Sequence, residues 1–409
     1  MKRILASITL AIFSTSVFSA PEEFSMGKFF GYPACNEHFD DKGCRVGAWS
    51  SIPPHRGSYV NPSLAREVKT SQNIFVLPRH TDYVDTAFID EYFKSQKAMA
   101  LLVLKDGKII YENYQYGRKP DMVFRGFSMS KTVVGMLVGI AHEKGHIKSL
   151  DDTAEMYYQE IAGTAYGGTT IRNLLRMRSG IEFDELSLTG PMPDRRRWWR
   201  SMNNAHYKGP NALVELARYF NKRPYPQGTK FNYSEMDTEI LSRVVIKATG
   251  MNLSELTEKW IWRPIGAEGS AYWMVYDSDN LEHSPGGFHA RLRDWGRFAL
   301  MLSNNGRVGD RQIINEKYVE EATSLINQPR QLHSNGRHYG YQTWIFPGSQ
   351  NKRVFAMSGS FGQSIFVQPS SAIIMVQLSV YDTETKDPRY SVPKHEFVNT
   401  LFKMFGGGF

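Results

Sequence analysis

Gly126-Phe-Ser-Met-Ser-Lys131, continuing as Thr132-Val-Val-Gly-Met-Leu-Val-Gly-Ile-Ala-His142, is the stretch around which the chain is organised. Val133, Val134, Met136, Leu137, Val138, Ile140 and Ala141 leave no polar stripe. A helix that is apolar nearly all round belongs inside a protein, and Gly145 supplies its stop. Ser128 and Lys131 stand at the entry of this helix. Residues three apart share a face, with Cβ atoms about 5–6 Å apart. The first turn of a helix carries partial positive charge, and burial disfavours an ammonium. Both effects favour a neutral amine able to take the serine proton and so activate a nucleophile. The spacing alone is a weak signal, because Ser25 and Lys28, Ser349 and Lys352, and Ser391 and Lys394 repeat it. Only Ser128 opens a long buried helix.

Upstream, Ala100 to Leu104 and Ile109 to Tyr111 are apolar runs separated by Asp106-Gly107, a strong hairpin signal. Downstream, Thr170 to Met177, Asn211 to Phe220, Thr238 to Thr249 and Leu253 to Trp262 show helical spacing, each closed by a glycine or a following proline or turn. The last third changes character: Tyr339 to Phe346, Val354 to Met357, Ser364 to Gln368 and Ile373 to Val380 read as strands, and His395 to Met404 as a closing helix. Strands at both ends with helices between imply an α+β fold, in which the chain ends share one antiparallel sheet and a helical lobe is inserted. The expected division is residues 20–95 as an extended N-terminal arm and 96–409 as the main domain. Within that domain, about 96–134 and 285–409 form the α/β part and about 135–284 the helical lobe.

Lys2 and Arg3 precede an uncharged stretch from Ile4 to Phe18, with small residues at Val17 and Ser19. This reads as a secretory signal peptide over residues 1–19, too short for the ~20 residues of a bilayer span. A periplasmic or secreted location follows, without stable membrane insertion once the signal is removed. In that setting Cys35 and Cys44, the two cysteines of the chain, are expected to form a disulfide. The net charge of +8 is mild and gives no argument for nucleic acid binding. His283, His289, His333 and His338 are scattered, so neither a metal nor a cofactor is expected.

The chain from about Ala98 to Val380 resembles the β-lactamase-related serine hydrolases, a group with class C β-lactamases, penicillin-binding carboxypeptidases, esterases and 6-aminohexanoate-dimer (nylon oligomer) hydrolases. The likeness is carried by Gly126 to Lys131, Ile147-Lys-Ser-Leu-Asp-Asp152 and Thr170 to Ile181. It continues in order through Pro226-Gln-Gly228, Phe231-Asn-Tyr-Ser234, Asp237-Thr-Glu-Ile-Leu241, Arg263-Pro-Ile-Gly266, Gly286-Gly287 and Arg293-Asp294. The nylon oligomer hydrolases are the nearest branch, and the fold implied is β-lactamase/transpeptidase-like.

The resemblance implies site roles. Tyr233 takes the first place of the family's Tyr-x-Asn motif and would relay a proton beside Ser128 and Lys131. Glu235 replaces the family's Asn, which alters the substrate contact there. Met357-Ser-Gly359 fills the Lys-Thr-Gly position on an edge strand, so Met357, Ser358 and Gly359 would line the substrate. Met357 stands where the family cation docks a substrate carboxylate, which argues against efficient β-lactam or carboxypeptidase chemistry. The backbone N–H groups of Ser128 and Ser360 would form the oxyanion hole. Separately, Asp194-Arg-Arg-Arg-Trp-Trp-Arg200 lies in an insertion, and its Trp198 and Trp199 are candidates to hold an anionic or acyl substrate.

The expected function is cleavage of a small linear amide or ester by an exported serine hydrolase, through an acyl-enzyme on Ser128. A β-lactamase or D-alanyl-D-alanine carboxypeptidase remains an alternative, as does a catalytically silent binding module of the same fold. The oligomeric state is left open.

Overall fold

Asp106 and Gly107 both adopt left-handed backbone, with φ of 51° and 72°, and turn the chain between two long strands as the sequence predicts. The computed structural model describes residues 20–34, 42–51, 65–184, 194–203, 212–276, 278–326, 337–346, 352–381 and 395–408. The signal stretch and Cys35 lie outside them. Within them the strands are β1 (Ala65–Val68), β2 (Ala98–Lys105), β3 (Lys108–Tyr114), β4 (Val123–Arg125), β5 (Ala271–Met274), β6 (Phe288–Arg291), β7 (Arg307–Val308), β8 (Arg311–Gln312), β9 (His338–Tyr339), β10 (Trp344–Phe346), β11 (Val354–Gly359), β12 (Gln363–Gln368) and β13 (Ile373–Ser379). The helices are α1 (Lys42–Trp49), α2 (Ala87–Ser95), α3 (Ser130–Glu143), α4 (Ile171–Leu175), α5 (Asp194–Met202), α6 (Ala212–Tyr219), α7 (Glu235–Thr249), α8 (Leu253–Thr257), α9 (Leu292–Ser303), α10 (Glu316–Thr323) and α11 (His395–Met404).

The main sheet runs β3-β2-β13-β12-β11-β10-β9, and every pairing in it is antiparallel. The two ends of the chain therefore share one sheet. Alternate residues of the central strands feed two cores, as the pleat requires. Leu101, Val103, Phe366 and Met375 pack with Ile89 and Phe93 of α2 and Val398, Leu401 and Phe402 of α11. Leu102, Leu104, Ile365, Val367 and Val376 pack toward α3 and α9. Helix α3 is buried from Ser130 through Ala141. At roughly 1.5–3 kcal/mol per buried aliphatic side chain, its apolar residues are a main reason the entry to this helix is held in place.

Three expectations need correcting. Tyr339 to Phe346 is not one strand: β9 and β10 are separated by a turn at 340–343, where Gln342 takes φ 54° and its N–H donates to the Leu175 carbonyl at 2.9 Å. Leu253 to Trp262 is α8 followed by a wider π turn over Glu258–Trp262. The arm is more than an extended wrap. It contains α1 and α2, and its strand β1 joins a second sheet, β1-β5-β6-β4, with Ala65 opposite Met274.

Candidate active site

Ser128 sits in the single 3-10 turn Phe127–Met129 that leads into α3. Two interactions of a buried neighbour shape that turn. Ser130 Oγ donates to the Phe127 carbonyl at 2.7 Å and accepts the Phe288 N–H at 3.0 Å. The Gly126 N–H also donates to the Phe288 carbonyl, at 2.8 Å, so β6 fixes the turn from outside. Phe127 is held at φ 47°, a conformation uncommon for a bulky residue. Ser128 itself remains partly exposed.

Lys131 is 1% exposed and has three acceptors around its Nζ. It donates to Ser128 Oγ at 3.1 Å, to the Pro285 carbonyl at 3.1 Å, and to Glu235 Oε2 at shorter range. An ammonium has three protons, and each is used. Glu235 is the first residue of α7, where the helix dipole favours a carboxylate. Its other oxygen lies 3.9 Å from Nε of Arg195 on α5, a side chain that is half exposed.

Tyr233 arrives one residue before the α7 cap, Ser234, whose hydroxyl accepts the Asp237 N–H. The approach of this segment is set by Met177-Arg-Ser-Gly180. The Asn232 N–H donates to the Met177 carbonyl and the Gly228 N–H to the Arg178 carbonyl, both at 2.8 Å. Gly180 is required there, because it takes φ 73° and a Cβ would lie 2.2 Å from the Tyr225 carbonyl oxygen. Lys131 Nζ lies 4.9 Å from the centre of the Tyr233 ring. That ring stacks on Trp344 at 5.6 Å and 17°, and Phe231 and Tyr339 pack on the same indole.

On the remaining side, β11 ends against the Ser128 turn. A Cβ at Gly359 would stand 2.3 Å from the Gly126 carbonyl oxygen and 3.1 Å from Phe127 Cβ. Ser360 follows directly, and both residues are partly exposed. Ser128, Lys131, Tyr233, Glu235, Gly359 and Ser360 are thus brought together from three separate parts of the chain.

Other candidate residues are placed differently. Met357 is 1% exposed, because strand alternation turns it into the core below the sheet. The Ser358 hydroxyl is buried as well, facing the sheet opposite Ser364. Trp198 is 2% exposed and packs on Tyr276 and His283, so it is not a surface for ligand. Trp199 is partly exposed and lies 5.2 Å from His283. Burial first, and then Arg125, Lys131, His289 and Arg195, hold the His283 imidazole well below its usual range, so it is neutral. Glu235, read as a substrate contact, is instead a buried partner of Lys131. The Pro285 carbonyl was invisible to residue-type reasoning. Arg195 lay within the Arg/Trp run, but its spacing gave no sign of Glu235. Cys44 is buried and disulfide-bonded. Among the described residues there is no group of His, Cys, Asp and Glu side chains able to hold a metal, and no helix long and apolar enough to cross a membrane.

A sheet shared by both chain ends, with a Ser-x-x-Lys helix buried beneath it, places this chain among the serine hydrolases of β-lactamase fold. More narrowly, it belongs to the beta-lactamase family, whose model matches residues 87–393. It is similar to the 6-aminohexanoate-dimer hydrolase of Paenarthrobacter ureafaciens, with 24% identity over 302 residues, 70% of this chain and 74% of that one. A beta-lactamase of Escherichia coli K12 is 23% identical over 287 residues, 63% and 69% of the two chains. Among solved structures, a Bacillus anthracis protein provisionally described as a 6-aminohexanoate-dimer hydrolase superposes with a TM-score of 0.69. It is 24% identical and covers 83% of this chain and 90% of its own.

Proposed function

We propose that this chain is an exported serine hydrolase that opens a linear amide or ester bond through an acyl-enzyme on Ser128. The observation that carries the reading is the 3.1 Å contact between Ser128 Oγ and Lys131 Nζ at the mouth of a buried helix. With all three ammonium protons engaged, Lys131 becomes a base by passing one of them to Glu235. The pair then changes from ammonium and carboxylate to amine and acid, with no change in net charge, and a buried site tolerates the neutral pair.

Ser128 Oγ attacks the carbonyl carbon and its proton moves to Lys131. The oxyanion is received by the N–H groups of Ser128 and Ser360. The C–N or C–O bond breaks and the leaving group takes its proton by way of Tyr233. Water, giving a proton to the same amine, attacks the acyl ester, releases the carboxylic acid and restores the serine hydroxyl. The aromatic wall of Phe231, Tyr233 and Trp344 suits an apolar stretch of substrate, and the half-exposed Arg195 suits a polar or anionic end. Export is supported by residues 1–19 as a signal and by the bonded Cys44, since disulfides persist in oxidising compartments.

The test is intact-mass analysis of the mature protein after a fluorophosphonate, beside Ser128→Ala. One adduct on the wild type and none on the variant, with ester and amide turnover lost only in the variant, is the expected result. A folded wild type that forms no adduct and turns over neither class would favour a binding module.

A further inference from the structure

Trp49, the last residue of α1 in the N-terminal arm, is 4% exposed. Its ring lies 5.3 Å from that of Phe127, edge-on at 88°, and 4.3 Å from that of Phe361 at 33°. The two phenyl rings are themselves 5.1 Å apart. Phe127 immediately precedes Ser128, and Phe361 immediately follows Ser360. Both phenylalanines hold left-handed backbone, at φ 47° and 63°, and a bulky residue stays there only when its surroundings hold it.

From this arrangement we propose that Trp49 is a positioning residue for the oxyanion hole, clamping the two backbone donors of Ser128 and Ser360 through the rings next to them. The inference rests on the reading of Ser128 as nucleophile given above. It goes further by assigning a catalytic consequence to the arm.

The clamp is anchored on both sides. The Arg45 guanidinium lies 5.7 Å from the Trp49 ring and 5.9 Å from that of Phe361. The Arg125 guanidinium lies 4.4 Å from the Phe127 ring. Helix α1 is fixed to the body beyond the rings: Arg118 Nη1 donates to Ser50 Oγ at 2.9 Å, and Gly47 lies so close to the chain at Tyr32 and Pro33 that a Cβ would stand 2.4 Å from the Tyr32 carbonyl oxygen. Cys44, one and a half turns before Trp49, ties the same helix by its disulfide. Two left-handed residues that would otherwise relax independently are thus held by one indole. Donors aimed at a developing oxyanion act on the transition state rather than on the bound substrate. Loss of the clamp therefore lowers kcat and leaves KM nearly unchanged.

The experiment compares full mature wild type, Trp49→Phe, Trp49→Ala, Phe361→Ala and the double alanine variant. The readouts are kcat and KM on p-nitrophenyl butyrate, normalised to sites labelled by a fluorophosphonate, together with thermal melting. Trp49→Ala is expected to lose about 10–100-fold in kcat per labelled site, a fraction of the ~10²–10³ for outright loss of one donor, with KM within about threefold. Trp49→Phe should restore most of that rate. The double variant should lose little more than either single one, since both break one clamp. If Trp49→Ala does not fold, Phe361→Ala alone must show the kcat-selective loss. A lowered melting temperature with wild-type kcat per labelled site, or fully additive losses, overturns the proposal. A wild type that labels nowhere overturns the Ser128 reading itself, which a negative Trp49 result on a labelled enzyme does not.

Discussion

The two flanks of Ser128 are built from opposite materials. On one side stand Lys131, Glu235, the Pro285 carbonyl and Arg195, a charged network within 4 Å steps. On the other stand Gly359, Phe127, Phe361 and Trp49, a close backbone contact covered by rings. In the proposed mechanism the first flank moves protons. In the same proposal the second holds two N–H groups still, so it should respond to shape. A substitution on one side should therefore leave a different signature from one on the other.

The largest effect is expected where shape has no slack. In Gly359→Ala the backbone itself permits alanine, since φ is −124° and ψ 160°. The added Cβ, however, would stand 2.3 Å from the Gly126 carbonyl oxygen, so β11 must withdraw from the Ser128 turn. That separates Ser360 from Ser128, and loss of one oxyanion donor typically lowers turnover by roughly 10²–10³. A drop in kcat of that size, at a pH optimum that does not move, is the expected outcome in steady-state kinetics. Near-wild-type turnover would mean that the Gly359–Ser360 edge plays no part in stabilising charge.

Glu235→Gln probes the other flank. If Lys131 passes a proton to Glu235 during acylation, the carboxylate beside its Nζ is part of the proton path. Without the carboxylate, the amine must shed its proton to solvent. The variant should then stand roughly 10–100-fold below wild type in kcat/KM at pH 7. The opposite result, wild-type kcat/KM in the variant, would show that Glu235 only holds Lys131 in place.

Legibility from sequence divides along the same line. The nucleophile flank could be read because Val133 to Ala141 is apolar on every face, a local pattern with one structural meaning. The Asp106-Gly107 hairpin was readable for the same reason. Helix α1 and Trp49 gave no such signal, since an eight-residue helix in a stretch rich in Gly and Pro owes its place to what it lands on. Strands β4 and β6, of three and four residues, are too short to show alternation. Trp198 and Met357 were misjudged because residue type and motif position say nothing of which way a side chain is turned. Glu235 was noticed as a departure from the Tyr-x-Asn pattern. Its partner became visible only when α3 and α7 were seen side by side.

The smallest effect contrasts two acids on one helix. Glu235 has a buried cation beside it; Asp237, two residues on, makes none of the described ion pairs. Burial pushes the Asp237 carboxyl up to about 8, outweighing the nearby Arg223 guanidinium, and burial pushes Glu239 in the same direction, to about 7. Between the ordinary carboxylate range and those values, the folded chain keeps protons that the unfolded chain has lost. These two acids therefore contribute stability that falls as pH rises through roughly 4 to 8, by at most about 1.4 kcal/mol per pH unit for each retained proton. Asp237→Asn replaces the protonated acid by a neutral group of the same shape. Denaturant melts at pH 5 and pH 8 should shift in the variant relative to the wild type by the Asp237 contribution alone, since Glu239 and Asp294, raised by burial, and His283, lowered by it and acting with the opposite sign, are common to both. Equal slopes would mean that Asp237 is ionised in the folded state, and that burial at this point of α7 does not keep an unpaired acid neutral.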